Sequence, residues 1–183
     1  MASIILNGDT SGAITLAAPA VAGTNTVTIP AATGTVMVSG NMPAFSATAS
    51  ANQTITNATN TKIQFNTKTF DTASAFDNTT NYRFTPLVAG YYQVTGTVQM
   101  QSNATGPVYL FLYKNGSSYT TLSSFANSVT LNNVTCGSLL MYLNGSTDYI
   151  ELYVSQSSGT SLTLYGTAAT GTNQFSAALV RAA

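Results

Sequence analysis

Few residues in this chain are able to carry out acid–base or nucleophilic chemistry. Its 183 residues include no histidine, a single cysteine, Cys136, and five acidic residues. Without histidine, neither a Ser-His-Asp nor a Cys-His triad can be assembled. One cysteine and no histidine also exclude a Cys/His zinc site. The side chain that most often serves as a general base in enzymes is therefore missing.

The five carboxylates do not form a pair suited to hydrolysis of glycosides. They are Asp9, Asp71, Asp77, Asp148 and Glu151. A glycosidase needs two carboxyl groups about 5 to 9.5 Å apart across a cleft. Asp148 and Glu151 are three positions apart on a predicted strand, so they should point to opposite faces. No glycine-rich phosphate loop opens a helix, because no helix is indicated. We therefore expect no enzymatic activity and no cofactor.

Asp71 and Asp77 flank a predicted loop, residues 72–76, and are the candidate metal ligands of the chain. Two carboxylates together with loop carbonyl groups are suited to Ca²⁺. Turn chemistry is the alternative, because aspartate readily accepts hydrogen bonds from its own loop backbone. The sequence leaves both interpretations open.

The composition excludes several classes of partner. Charged residues make up 5% of the chain, and five basic residues balance five acidic ones, whereas about 25% is usual. No basic stripe is present to neutralise phosphates, so we expect no nucleic-acid binding. Apolar runs are too short for a membrane span, so we expect no membrane insertion. No secretory signal is visible, so we expect synthesis in a cytoplasm.

Cys136 lies among apolar neighbours in the sequence. A free cysteine in such surroundings usually behaves as a small buried hydrophobic residue. We therefore predict that it is buried, with an interchain or reactive thiol as the alternative.

The sequence from Pro43 onward is typical of an all-β protein. Thr, Val and Tyr, which favour strands, dominate it, while Asn and Gly supply turns. Two Asn-Gly pairs, Asn115-Gly116 and Asn144-Gly145, predict hairpins. Many short strands with regular turns indicate a sandwich or jelly roll. The predicted strands are residues 61–65, 90–100, 107–113, 137–143, 149–154, 162–165 and 174–180.

Residues 1–40 differ from the rest of the chain because they contain no aromatic residue. Short alternating strands are predicted at 12–16, 24–29 and 34–38, interrupted by proline and glycine. A segment of this kind cannot bury a core of its own. We therefore expect burial between chains, or against a larger partner, to order it.

The order of sequence motifs in residues 43–181 resembles the C1q/TNF-like domain. The motifs are Ala44-Phe-Ser-Ala47, Phe76-Asp77, Tyr82-Arg-Phe-Thr-Pro86 followed by Gly90-Tyr-Tyr92, Leu112-Tyr-Lys-Asn-Gly116, and the stretch from Gly137 to Val154. The resemblance implies an all-β C1q/TNF-like jelly-roll sandwich over residues 43–183, preceded by an extended β-rich N-terminal segment. It also implies a homotrimer.

The same resemblance suggests which residues form the core and the trimer interface. Tyr91 and Tyr92 point to opposite faces of a strand, so one enters the sandwich and the other faces outward. In this family, outward aromatic residues commonly pack around the threefold axis, although an ordinary core tyrosine is the alternative. The residues assigned to the trimer interface or core are Phe45, Phe84, Tyr91, Tyr92 and Phe175.

Residues 12–19, 22–30 and 33–36 resemble a segment found in tailed-phage virion proteins. This resemblance implies a virion protein, such as a capsid decoration protein (head fibre), that docks to the major capsid protein or another virion protein. The jelly roll would then project from the particle. The residues assigned to docking are Ile14, Leu16, Val27, Ile29 and Val36.

Two other functions remain open. One is the receptor-binding tip of a tail fibre, which would contact a host glycan or protein through Tyr109, Tyr113 and Tyr119 near the 114–116 turn. The other is a bacterial C1q-like adhesion module, which would need an export route.

Overall fold

A computed structural model describes residues 3–21, 23–28, 31, 33, 36–38, 40, 42–102, 105–126, 133–166 and 172–183. Within these residues the chain forms strands and no helix, so no helix there is able to cross a membrane. The strands are β1 Ser3–Asn7, β2 Ala13–Ala17, β3 Ala44–Thr48, β4 Gln53–Ile55, β5 Thr61–Lys62, β6 Thr67–Asp71, β7 Phe76–Asp77, β8 Arg83–Phe84, β9 Gly90–Met100, β10 Pro107–Lys114, β11 Ser117–Ala126, β12 Asn133–Leu143, β13 Ile150–Gln156, β14 Leu162–Leu164 and β15 Gln174–Ala182.

The chain divides into two compact units, Met1–Gly34 and Thr35–Ala183. In the first, β1 and β2 form an antiparallel hairpin in which Ile4 pairs with Leu16 and Leu6 with Ile14. Strand β1 was not expected from the sequence. The strands predicted at 24–29 and 34–38 are wrong for the described positions 24–28 and 36–38, which carry no strand, and Ile29 lies outside the described residues.

The second unit is a sandwich of two antiparallel sheets. Sheet I has the order β4-β14-β9-β15-β3-β6, and β12 also pairs with β9. Sheet II has the order β11-β10-β13-β8-β7, with β5 also paired to β13. From β9 to β13 the chain passes from sheet I to sheet II, back to sheet I at β12 and again to sheet II at β13, so neighbours in sequence are often not neighbours in space. This connectivity makes the sandwich a jelly roll.

Strand β9 shows why the sandwich has a well-defined inside. Tyr92, Val94, Val98 and Met100 alternate with exposed or half-buried residues and are fully buried. Gly96 stands in the same inward phase, and a Cβ atom there would lie 2.6 Å from Cδ1 of Leu152 in sheet II. The missing side chain therefore lets the two sheets approach closely.

A cluster of phenylalanine rings joins the two sheets. The buried ring of Phe45 on β3 stacks on Phe76 and Phe84, with ring centroids 4.5 Å apart in each case. It also meets Phe175 on β15 edge-on at 5.0 Å. Because β3 and β15 belong to sheet I and β7 and β8 to sheet II, these contacts hold the sheets together.

The two Asn-Gly turns have different roles. Asn115 and Gly116 have φ values of +54° and +77° and close the β10–β11 hairpin, as predicted. The hairpin predicted at Asn144-Gly145 is wrong, because β12 pairs with β9 whereas β13 pairs with β10. This turn instead carries the chain between sheets. Gly145 fits because a Cβ atom there would lie 2.2 Å from the backbone nitrogen of Ala89.

Replacing Phe45 by alanine should destabilise the second unit strongly. Removing a fully buried phenylalanine costs about 3–5 kcal/mol in the free energy of unfolding. The matched control is Tyr119→Ala, since Tyr119 is 54% exposed, and its effect should stay within about 0.5 kcal/mol. Urea denaturation followed by tyrosine fluorescence measures both, and equal losses in the two variants would contradict the assigned core.

Candidate interaction surfaces

One face of the β1–β2 hairpin is aliphatic and uncovered within its own unit. Ile4, Leu6, Ile14 and Leu16 point to the same side, because they form directly opposed pairs two residues apart. Each is more than half exposed. Isolated two-stranded hairpins are marginally stable in water. We call these four residues the hairpin face, and they are the part of the first unit most in need of a partner.

The hairpin face includes two of the predicted docking residues, Ile14 and Leu16. Val27 and Val36 are described and exposed, but they lie in no strand, and Ile29 lies outside the described residues. Ile4 and Leu6 were missed in the sequence. The signal that would have revealed them was the short apolar run Ile4-Ile5-Leu6, which favours a strand.

The second unit exposes an apolar area on the outer side of sheet I. Tyr91 on β9 pairs with Tyr142 on β12, and their rings meet edge-on at 5.6 Å. Leu140 lies two residues before Tyr142 on the same side, and Val180 is exposed in a bulge of β15 beside Tyr91. We call Tyr91, Leu140, Tyr142 and Val180 the outer patch. They are between 42% and 60% exposed.

The outer side of β9 and β12 is uncharged, although Arg181 on β15 is directly paired with Tyr91. The outward positions of β9 and β12 carry no charged residue over the described strands. Beyond the outer patch, the outward residues are Gln93, Thr95, Thr97 and Gln99 on β9 and Val134, Cys136 and Ser138 on β12. A neutral surface loses little charge solvation when it is covered. This face is therefore suited to burial against another protein surface.

Cys136 is exposed, so the prediction that it is buried is wrong. It pairs with Thr97 and shares the outward phase of β12 with Leu140 and Tyr142. The neighbouring apolar residues suggested burial, but the alternation of the strand decides the side on which each lies. The alternative of an interchain or reactive thiol stays a prediction.

The residues assigned to the trimer interface or core separate into two groups. Phe45, Phe84 and Phe175 are fully buried between the sheets, and so is Tyr92. The Tyr92 hydroxyl donates a hydrogen bond to the carbonyl of Val88 at 2.7 Å, and burial raises the pKa of Tyr92 to about 12. Tyr91 alone among the five faces outward.

The tyrosines assigned to receptor contact do not form one site. Tyr109 and Tyr113 lie on the outer side of β10, alternating with buried residues. Tyr113 stacks on Tyr153 at 3.9 Å, and its hydroxyl accepts a hydrogen bond from Nδ2 of Asn60. Tyr109 stacks on Phe111. One face of each ring is therefore covered by its stacking partner, Phe111 for Tyr109 and Tyr153 for Tyr113. Tyr119, which projects from β11, makes no ring contact with Tyr109 or Tyr113 among the described residues.

The carboxylates of Asp71 and Asp77 are engaged by their own loops. Asp71 accepts hydrogen bonds from the N–H groups of Ala75 and Phe76 and pairs with Lys68 at 3.3 Å. Asp77 accepts hydrogen bonds from the N–H groups of residues 79–81, first of all those of Thr80 and Thr79, and these hold its pKa well below the usual range. In the described part of the chain, no group of three His, Cys, Asp or Glu side chains is placed to hold a metal ion. The geometry favours turn chemistry over Ca²⁺.

Asp148 links the two Asn-Gly turns, a role that the sequence did not reveal. Its carboxylate accepts hydrogen bonds from Nδ2 of Asn115 at 2.7 Å and the N–H group of Asn144 at 3.0 Å. It also pairs with the ammonium of Lys114 at 2.9 Å. Burial alone would raise the pKa of Asp148, but hydrogen bonds from Asn115, Lys114 and Asn144 outweigh it, so the pKa is lowered.

No protein-family model and no curated protein matches this sequence, but solved structures share the fold. The globular domain of zebrafish complement 1qA is 18% identical with a TM-score of 0.53, and the match covers 77% of this chain and 99% of that domain. Murine APRIL is 8% identical with a TM-score of 0.55, covering 76% of this chain and 99% of APRIL. PRD1 vertex protein P5, from a phage, is 16% identical with a TM-score of 0.54, covering 78% of this chain and 98% of P5.

These similarities show a C1q/TNF-like jelly-roll fold, as the order of the sequence motifs predicted. At such identities they establish the fold alone. The segment that resembles tailed-phage virion proteins is not confirmed by any of them.

Replacing Asp148 should weaken the fold and change its response to acid. Asp148→Ala leaves three donors without their acceptor, so we expect a loss of about 2 kcal/mol in the free energy of unfolding at pH 7. Because the pKa of Asp148 is lower in the folded chain than in the unfolded one, its stabilisation is present above about pH 4 and is lost as the pH falls below that value.

Asp148→Asn tests the pH dependence separately, since the amide is nearly the same size but does not titrate. Urea midpoints at pH 7 and pH 3 should differ less in this variant than in the parent protein. An unchanged difference would show that Asp148 does not contribute to acid sensitivity.

Proposed function

We propose that this chain is a non-enzymatic structural protein of a phage particle, a homotrimer that docks by its N-terminal unit and projects its jelly roll from the shell. The observation that supports this proposal most strongly is the presence of two separate apolar surfaces, one on each unit: the hairpin face and the outer patch. A structural protein that both self-associates and attaches to a shell needs two such surfaces.

The outer patch serves self-association. The resemblance to C1q/TNF-like domains implies a trimer in which outward aromatic residues pack around the axis, and Tyr91 and Tyr142 are outward aromatics on sheet I. The face around them carries no charge on β9 and β12, so burying these two strands between copies removes no ion from water. Cys136 lies four residues before Leu140 on the same face of β12, so an interface that extends from the patch along β12 would also cover Cys136.

The hairpin face serves attachment to the major capsid protein or another virion protein. Its four aliphatic side chains need a cover, and the hairpin also has unpaired strand edges to which a partner strand can add. A fold shared with a phage vertex protein fits a particle location. The absence of histidine and the engagement of Asp71, Asp77 and Asp148 in structural contacts support a non-enzymatic function.

The receptor-binding tip of a tail fibre remains a second candidate function. The exposed Tyr119 on β11 favours it, because an aromatic ring that projects into solvent is suited to contact a host molecule. The stacked Tyr109 and Tyr113 are less available for this role. Copy number in the particle separates the two functions.

Trimerisation is tested by light scattering on the purified chain. The 18.9 kDa protein should have a mass of about 57 kDa in solution, and Leu140→Asp should reduce it to that of a single chain because the charge would be buried in the interface. Ser124→Asp, on the exposed part of β11 in sheet II, is the matched control and should leave the mass unchanged.

The reactivity of Cys136 with a thiol reagent provides an independent measurement. The thiol should react slowly in the parent trimer and rapidly in the Leu140→Asp variant. A parent protein of single-chain mass, or equally fast reaction in both proteins, would contradict the proposed interface.

Docking is tested by particle composition. Many copies, comparable with the major capsid protein, would indicate shell decoration, whereas a few trimers would indicate a fibre tip and absence would refute a virion function. A double variant, Ile4→Asp with Leu16→Asp, should no longer attach to particles but should keep the trimer mass. Attachment equal to that of the parent would show that the hairpin face is not the docking surface.

A further inference from the structure

A groove beside β7 and β8 of sheet II belongs to neither of the apolar surfaces. Its volume is about 280 Å³, and it is open to solvent on one side. Five of its eight lining residues are polar, and Leu87, which is 70% exposed, supplies an apolar rim. The lining residues are Ser74, Ala75, Phe76, Asp77, Asn81, Arg83, Thr85 and Leu87.

Arg83 is the cation of this groove, and it has no acidic partner. The three ion pairs among the described residues all use lysine, at Lys62, Lys68 and Lys114. Arg83 instead lies over the ring of Tyr149, with its guanidinium carbon 4.3 Å from the ring centroid. This cation–π contact positions the guanidinium, and none of its N–H groups donates a hydrogen bond to another described residue. Those donors remain available at the groove.

Asp77 would be expected to neutralise Arg83, because the two residues are directly opposed in the β7–β8 pair. Its two oxygen atoms are already occupied, however. Oδ1 accepts hydrogen bonds from the N–H groups of Thr79 and Thr80 and from the Thr79 hydroxyl, and Oδ2 accepts two from Asn81. The carboxylate is thus committed to its loop, and no ion pair with Arg83 forms.

The loops that build the groove hold costly backbone conformations. Ser74 and Tyr82 have φ values of +52° and +51°, in the left-handed region that non-glycine residues rarely adopt. An aromatic residue in that region is especially unusual. Tyr82 lies between Asn81 and Arg83, so its conformation determines how both approach the groove. Strain of this kind concentrates where a site is pre-organised.

We propose that this groove binds the carboxylate-bearing ring of an acidic saccharide, such as a uronic acid. The guanidinium offers paired N–H donors that match a carboxylate. The hydroxyls of Ser74 and Thr85 make no hydrogen bond to any other described residue, so they are free to meet sugar hydroxyls. Leu87 provides contact for the C–H face of the ring. The volume suits a single sugar ring, and the site goes beyond the proposed structural function.

The charge of Asp77 beside Arg83 makes each groove a weak site on its own. A trimer would carry three of them, and linked weak sites gain strongly in apparent affinity toward a repeating ligand. In the proposed trimer, an acidic polysaccharide with many uronic acid units is therefore expected to bind more tightly than one free uronic acid, which binds each groove weakly.

Saturation-transfer NMR with sodium D-glucuronate and D-glucose tests the proposal on the full chain. The two sugars differ at C6, where glucuronate has the carboxylate. We expect signals for glucuronate only, and about a tenfold or greater loss of affinity in Arg83→Gln, since hydrogen bonds to charged groups are the strong ones. Arg83→Lys should lose most of the affinity too, because it keeps the charge but not the planar fork.

Arg181→Gln is the matched control, because Arg181 is exposed on β15 in the other sheet, and it should bind glucuronate as the parent does. Leu87→Ala, at an exposed position, provides a second variant that should weaken binding even if Arg83→Gln disturbs the fold. Equal signals for glucose and glucuronate, no signal for either, or undiminished binding by Arg83→Gln would each overturn the proposal. The light-scattering mass is read from the same samples, so failure of the groove and failure of the trimer are distinguished.

Discussion

The contact between Phe45 and the rings of Phe76, Phe84 and Phe175 is the interaction on which the remaining structure depends. It joins strands from both sheets in a chain with few charges to hold them otherwise. Phe45 and Phe175 determine which residues of β3 and β15 point between the sheets. Because β9 pairs with β15 and β12 pairs with β9, strand pairing then determines which residues of β9 and β12 point inward. The outward positions, Tyr91 and Tyr142 among them, follow from the inward ones.

The scarcity of charge gives the surface an unusual character. Three of the five cations are used in ion pairs that brace loops and turns, at Lys62, Lys68 and Lys114. The outer side of β9 and β12 carries only Thr, Ser, Gln, Cys, Val, Tyr and Leu over the described strands. Such a face can be covered and uncovered at low electrostatic cost, whereas the groove at Arg83 is one of the few places where a single charge is free to select a ligand.

The period-two pattern from Pro43 onward made most of this fold readable from the sequence. It predicted strands at 90–100 and 107–113, which are β9 and β10, and the motif order predicted the jelly roll. What it could not provide was pairing between distant segments: Asn144-Gly145 reads locally as a hairpin turn, although β12 and β13 belong to different sheets. The prediction that Cys136 is buried was wrong because it relied on the apolar residues beside Cys136 in the sequence and not on the face of the strand that each residue occupies.

The candidate surfaces could be predicted only in part, because strand pairing between distant segments is not visible in the local sequence pattern. Alternation predicted that one of Tyr91 and Tyr92 faces outward. Ile14 and Leu16 were assigned to docking through the resemblance to phage virion proteins, whereas the partner strand β1 was missed. The Arg83 groove combines residues 74–77 and 81–87 with Tyr149, whose proximity arises from pairing between β7, β8 and β13. No local pattern contains that information.

The hydrogen bonds around Asp148 also bear on the chemical ageing of the protein. Asn-Gly is the dipeptide at which an asparagine side chain most readily cyclises onto the following backbone nitrogen and deamidates. The Asn115 amide donates to Asp148 and accepts from the N–H group of Tyr149. The side-chain oxygen Oδ1 of Asn144 accepts hydrogen bonds from the N–H groups of residues 146–148. Cyclisation at either turn must first break these bonds, so the network that shapes the two turns also lengthens their chemical lifetime.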